Sequence, residues 1–200
     1  MYIVTGKTGN PHVTGADDAA LNAGIVGNGD YILSNTDFQV EKNGNTFRLG
    51  RAELLMQGVH SRIEGDEELT VDNGDQGMYR IDSIVAYYQL DLSTGIETTG
   101  LKILSGTPNA SFSDVKAPNI NDGDLYNYAS YREARLVNIH LYESTVQKYE
   151  IVIPKINYLK DAVSLQQVKD MIAALPVIRS GTADPDNSVG KDGDIYIKIV

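Results

Sequence analysis

Gln76-Gly77-Met78-Tyr79-Arg80-Ile81-Asp82-Ser83-Ile84-Val85-Ala86-Tyr87-Tyr88-Gln89-Leu90-Asp91-Leu92 is the stretch whose periodicity decides the fold. Every even position from Ile84 to Leu92 is apolar, while the odd side runs Val85, Tyr87, Gln89, Asp91 and grows wetter along its length. A period of two with one apolar side marks a strand with one buried face. The stretch therefore predicts a turn feeding a long central strand of a β-domain. Arg80 and Asp82 flank Ile81, so they share a strand face, and a structural ion pair is expected there rather than a ligand contact.

Strand and turn signals continue on both sides. Upstream, Tyr31-Ile32-Leu33 reads as one strand, and Phe38-Gln39-Val40 turns at Asn43-Gly44 into Thr46-Phe47-Arg48-Leu49. Gly50 breaks the alternation as a bulge would, before Leu54-Leu55-Met56. Ser61-Arg62-Ile63 and Glu68-Leu69-Thr70-Val71 follow, and Asp72-Asn73-Gly74-Asp75 turns the chain into the central strand. Downstream, Ser93-Thr94-Gly95 reverses it into Ile96-Glu97-Thr98 and Leu101-Lys102-Ile103-Leu104. Ser105 to Asp124 is a long connection with Pro108 and Pro118, of a length at which loops are functional or flexible. A last hairpin sets Val137, Ile139 and Leu141 on one face and aligns Tyr149, Ile151 and Ile153 opposite. Roughly ten strands with turns every 8–12 residues predict a mainly β fold, an antiparallel β-sandwich or open barrel.

Near the N-terminus, Met1-Tyr2-Ile3-Val4-Thr5 reads as a short strand and Thr5 to His12 as a loop. Its Gly6-Lys7-Thr8 is not a phosphate loop, because Met1 stands where that motif needs its first glycine. Thr14 can cap a brief helix through Ala16 to Ala23, with Asp17 and Asp18 in its first turn and Gly24 or Gly27 ending it. As helical neighbours, the two carboxylates point about 100° apart, which suits N-terminal charges rather than an acid–base pair.

Pro154 ends the sheet, and from Ser164 the period changes. Ser164 caps Leu165 to Leu175 and Pro176 stops it. Leu165 and Ile172 are seven apart, as are Val168 and Leu175, which makes a seam of two heptads. So few apolar side chains cannot offset the entropy of fixing a dozen residues, so this helix must pack on its own β-domain or on copies of itself. The narrow stripe after a proline boundary favours a short neck helix in an oligomer. The tail from Ser180 is a loop ending in Ile195-Tyr196-Ile197-Lys198-Ile199-Val200, a β-branched segment apolar on both faces that also needs neighbours. The candidate oligomer interface is thus Leu165, Val168, Ile172, Leu175, Ile195 and Ile197. The domain reading is 1–155 for the β-body, 156–176 for the linker and neck helix, and 177–200 for the terminal loop and β-segment.

Bulk composition narrows the partners. The 200 residues carry a formal charge of −10, which repels nucleic acid and anionic membrane surfaces. Cysteine is absent, so disulfides and thiolate nucleophiles are excluded. The N-terminus lacks the basic flank and apolar core of a signal peptide and no window reaches the ~20 apolar residues of a membrane span, so cytoplasmic synthesis without membrane insertion is expected. The histidines, His12, His60 and His140, lack metal-ligand spacing, and His140 is expected on the surface or hydrogen-bonded, on the Leu136/Asn138/Tyr142 side of its strand. Asp184-x-Asp186-x-Ser188 starts like a calcium loop but has Val189 and Ile195 where glycine and glutamate belong. Asn119-x-Asn121-Asp122-x-Asp124 is likewise better explained as turn chemistry. No nucleophile elbow is present and the residues point to no cofactor, so a non-enzymatic protein is expected, although acid–base work by two carboxylates distant in sequence would show no spacing pattern. A saccharide contact through the tyrosine-rich loops, at Tyr126, Tyr128 and Tyr131, is the alternative functional reading.

Four ordered phrases carry a resemblance. Asn10-Pro11-His12-Val13-Thr14-Gly15-Ala16-Asp17-Asp18-Ala19, Gly27-Asn28-Gly29-Asp30-Tyr31-Ile32-Leu33, Met56-Gln57-Gly58-Val59-His60-Ser61-Arg62-Ile63 and Asn73 to Val85 resemble tail and baseplate proteins of siphophages and prophages of Gram-positive bacteria. The likeness spans roughly residues 1–155. The Gly181-Thr182-Ala183-x-Pro185…Asp192-Gly193-Asp194-Ile195-Tyr196 tail is similar to a segment common in phage fibre and receptor-binding proteins, where it sits among trimeric elements. What the resemblance implies is a trimeric virion structural protein, attached to other tail or baseplate proteins and facing the host envelope. It transfers no catalytic residues.

Overall fold

The structure is a computed structural model and describes residues 13–33, 38–158, 163–185 and 190–199. The expected strand at Met1–Thr5, the Gly6-Lys7-Thr8 turn, His12 and the Asp186–Val189 part of the calcium-like loop lie outside the described residues. Two compact units are present, Met1–Asn157 and Tyr158–Val200.

The first unit opens with α1 (Gly15–Val26). Thr14 caps it as expected: its hydroxyl accepts from the Asp17 N–H while the Asp17 carboxylate accepts from the Thr14 N–H, so two orphan donors are satisfied reciprocally. Strands follow as β1 (Asp30–Leu33), β2 (Val40–Asn43), β3 (Thr46–Leu49), β4 (Ala52–Met56), β5 (Val59–Ile63) and β6 (Glu67–Thr70). Then come the long β7 (Tyr79–Leu90), β8 (Glu97–Leu104), β9 (Tyr131–Tyr142), β10 (Thr145–Ile151) and β11 (Lys155–Ile156). They form three sheets, β11-β1-β4-β5, β2-β3-β6 and β10-β9-β7-β8. Inward residues of all three share one core, with Ile32, Phe47, Leu54, Ile84 and Ile139 among its most buried members. The fold is thus strand-dominated with several sheets, ending in a helix and two strands.

The central strand runs as its sequence predicts. Ile84, Ala86 and Tyr88 are core residues, while Tyr87 is half-buried and Gln89 exposed. The strand stops at Leu90, however. Asp91 turns the chain by accepting from the Ser93 N–H and hydroxyl (2.8 and 2.6 Å), and Leu92 is left 78% exposed.

Several local readings change because tertiary pairing overrides the local pattern. Gly50 is not a bulge within a strand; it lies where the chain leaves β3 in one sheet for β4 in another, and its N–H donates to the Gln39 carbonyl. Pro154 does not end the sheet structure either, for its carbonyl accepts from the Ile32 N–H and β11 then joins β1 in parallel. Beyond a register shift between Val146 and Lys148, Tyr149 pairs with Ile139 and Ile151 with Val137 as the hairpin reading expects, but Ile151, at the strand end, is 46% exposed while Ile153 reaches the core.

A second irregularity has wider effect. Ile84 pairs with Val137 but Val85 pairs with Arg135, so Leu136 is an extra residue in β9. Such a bulge reverses side-chain parity beyond it. Leu136 itself enters the core rather than joining the His140 side, Ala134 turns inward, and Tyr131, Glu133 and Arg135 share the outer face with Tyr87. β9 thus begins at Tyr131, upstream of the Val137, Ile139 and Leu141 alternation read from the sequence.

The long connection after β8 is lashed down rather than loose. Asp82, fully buried, accepts from Arg80 Nε and Nη2 (both 2.8 Å) and from the Gly106 N–H (2.9 Å). The expected Arg80–Asp82 pair is therefore present, and it also holds the connection's first residues. Tyr79 and Asn109 exchange backbone hydrogen bonds, Arg135 donates to the Pro118 carbonyl, and Arg132 donates to the carbonyls of Asp122 and Gly123.

Candidate interaction surfaces

The second unit consists of α2 (Leu165–Ala174), β12 (Ile178–Gly181) and β13 (Ile195–Lys198). Ser164 caps α2 in a capping box with Gln167: the Gln167 N–H donates to Ser164 Oγ at 3.1 Å and the Ser164 N–H to Gln167 Oε1 at 2.8 Å. The neighbour that the terminal β-segment needs is partly supplied by β12, a strand not read from sequence, which pairs with β13 in parallel. Asp194 is the hub of this unit. Its carboxylate accepts from the Val177 N–H (2.8 Å), the Lys191 N–H (3.2 Å) and Arg179 Nε (3.3 Å), and the Val177 bond in particular holds its pKa below the usual range despite partial burial. Lys191 Nζ donates to the Ala173 carbonyl, tying the loop to the helix end.

Polar bonds thus shape this unit, but its apolar side chains are unused. Among its described residues none is buried, and only Gly181, Asp194 and Tyr196 are half-buried. Leu165 is 71% exposed, Val168 39%, Ile172 63%, Leu175 60%, Ile195 56% and Ile197 52%. None of the six candidate interface residues is therefore buried by its own unit. Met171 and Ile178 are exposed as well, and Ile178 stands opposite Ile195, so it shares a sheet face with Ile195 and Ile197.

The three candidate tyrosines are separated in kind. Asp124 caps a 3-10 turn at Leu125–Asn127 by accepting from the Tyr126 and Asn127 N–H groups (3.0 and 3.3 Å), and the Leu125 N–H is tied to Gln57 Oε1 at 2.6 Å. Tyr126 and Tyr128 stand on this turn 67% and 93% exposed, with Tyr128 in the left-handed region at φ 66°. Tyr131 instead lies half-buried on the sheet face. Its ring is near-parallel to that of Tyr87, 6.2 Å between centroids, and its hydroxyl donates to Glu133 Oε1 (2.9 Å) and accepts from Lys102 Nζ (2.8 Å). Burial alone would raise the Glu133 carboxyl, but bonds from Lys102, the Asn121 N–H and Tyr131 outweigh it and hold Glu133 below the usual carboxylate range.

Two further clusters were not legible in the sequence. Glu53, 3% exposed, accepts from Arg62 Nε (2.6 Å) and pairs with His60 Nε2 (2.8 Å). Burial pushes its carboxyl up, and the Arg62 and His60 hydrogen bonds more than reverse that. His140 is half-buried rather than on the surface, and it is not hydrogen-bonded. Its side chain is 12% exposed, Nε2 lies 3.6 Å from Glu150 Oε1, beyond hydrogen-bond distance, and Phe112 from the long connection lies over it at 6.3 Å. The pairing of β9 with β7 and β10 and the cover from Phe112 bury a position that alternation alone assigns to solvent.

Among the described residues no group of three His, Cys, Asp or Glu is arranged to hold a metal ion. Asn121 Oδ1 accepts from the Gly123 N–H and Asp124 caps its turn, as turn chemistry requires. No described helix is long and apolar enough to cross a membrane. No protein-family model matches the chain, and no curated protein matches it.

Proposed function

We infer that the chain is a non-enzymatic structural protein of a phage tail or baseplate, with a sandwich-type body and a terminal unit that completes its core against sister subunits in a trimer. It serves virion assembly and host attachment beside other tail proteins. One observation carries the oligomeric part: a helix and two paired strands form with no described residue buried among them. Isolated helices of this length are marginal in water, and a two-stranded sheet is no better without an apolar face covered. A second copy supplies that cover with the same side chains, which is how closed homo-oligomers form. The tail assignment rests on the ordered phrases between Asn10 and Val85 and on the Gly181 to Tyr196 segment.

Light scattering of the intact chain beside a chain ending at Asn157 tests the assembly. Three copies for the first and one for the second are expected; a monomeric intact chain overturns it. Co-sedimentation with tail particles tests the virion role, and exclusion from them removes it.

A second reading, recognition of host cell-wall saccharide, is favoured by the exposure of Tyr126 and Tyr128 on a capped turn. Aromatic rings that are rigidly mounted and wet on one side suit amphipathic ligands.

A further inference from the structure

The long connection covers only part of the outer face of the β10-β9-β7-β8 sheet. Phe112 lies against Tyr79 and His140, with ring centroids at 5.6 and 6.3 Å, and the Pro118 carbonyl takes the Arg135 guanidinium. Val85, on this face, is fully buried. Beyond it the connection has moved to the strand edge, where the Glu133 N–H donates to the Asn121 carbonyl at 2.7 Å. The remaining end of the face is open: Tyr87, Tyr131 and Lys102 are half-buried, while Gln89 and Thr98 are exposed.

This open end is built and held rigid. Gly100 stands directly opposite Tyr87, and a Cβ there would come within 2.8–3.0 Å of the tyrosine ring, so the absence of a side chain lets the ring lie on the strand backbone. Tyr131 is locked through its hydroxyl by Lys102 and Glu133. Lys102 uses two donors, to Tyr131 at 2.8 Å and to Glu133 at 2.6 Å, and its ammonium carries a third. Rings already fixed lose little freedom on binding.

We propose that the open face formed by Tyr87 and Tyr131, with Gln89, Thr98 and Lys102 around them, is a saccharide-binding site. The aliphatic C–H side of a sugar ring rests on the tyrosine pair, and its hydroxyls meet the Lys102 ammonium, the Gln89 carboxamide and the Thr98 hydroxyl. The amphipathic character of the patch matches a sugar, and the chain's charge of −10 repels nucleic acid. This inference rests on the saccharide reading above and moves its centre from the loop tyrosines to the sheet.

The test titrates the intact protein, with its tyrosine rings isotopically labelled, against oligosaccharides of glucose, galactose, rhamnose and N-acetylglucosamine. Saturable shifts of the Tyr87 and Tyr131 resonances are expected with at least one of them. Tyr87→Ala should weaken that binding about tenfold or more, while a Tyr126→Ala, Tyr128→Ala double variant retains it. Gln89→Ala, at an exposed position, should weaken binding without altering the melting temperature, which keeps the test valid if Tyr87→Ala fails to fold. Binding by the wild type that survives both Tyr87→Ala and Gln89→Ala but is lost in the loop double variant overturns this site and leaves the saccharide reading standing. No binding to any of the four sugars overturns both.

Discussion

Arg132 and Asp30 lie 102 residues apart in sequence and meet in a two-pronged salt bridge, Nε to Oδ1 at 2.9 Å and Nη2 to Oδ2 at 2.8 Å. Their side chains are 10% and 17% exposed, and the pair joins β9 of one sheet to β1 of another. Removing one partner leaves a charge in a site with little water. Asp30→Asn should therefore lower unfolding stability by about 3 kcal/mol or more, read from urea denaturation of the intact chain. The surface pair Arg48–Glu41 is the control, for its side chains are 46% and 71% exposed. Glu41→Gln should cost less than about 1 kcal/mol.

His140 gives the protein an acid-sensitive point. Burial, and then the nearby Lys148, push its imidazole below the ordinary value of 6.5, with Glu150 only partly opposing them. The unfolded chain therefore binds a proton more readily than the native one. Stability is fully present above pH 6.5 and falls as the pH drops through the lowered native value. His140→Leu should abolish that loss. Melting temperatures of wild type and variant, compared between pH 7 and pH 5, should diverge as acid is added, and parallel curves would remove His140 from the account. The carboxyls of Glu53 and Glu133, held below 4.5, lose their contribution in a separate and lower window.

Gly58 fixes how α1 sits on β5. It has φ +87°, and a Cβ there would lie 2.0 Å from the Ala19 carbonyl oxygen. The contact is also held by Asn22 Nδ2 of the helix, which donates to the Gly58 carbonyl at 3.0 Å. Gly58→Ala should cost more than about 1 kcal/mol and speed hydrogen exchange throughout α1, because both backbone strain and the helix contact oppose the methyl group.

Ser164 is a sensitive probe of assembly, because α2 has no core of its own to buffer a weakened cap. Ser164→Ala should destabilise the helix by about 1 kcal/mol per protomer. Under the proposed trimer, sedimentation should show the variant dissociating at higher concentration than the wild type while the melting of the first unit is unchanged. An unaltered dissociation midpoint would separate α2 from the assembly.

Short-range chemistry was legible from the residues alone. Alternation through Ile84, Ala86 and Tyr88 defined the central strand, Thr14 and Ser164 marked helix starts, and Arg80 and Asp82 were paired by their spacing. These features depend on the backbone period and on groups within a few residues of each other, so the order of residues determines them. The grouping of strands into sheets, the Arg132–Asp30 bridge, the burial of His140 and the meeting of Tyr87 with Tyr131 were decided only by tertiary structure. Leu136 shows why: one extra residue in β9, enforced by the register with β7, turns Tyr131 to the outer face, and no local pattern encodes which strand will be its neighbour.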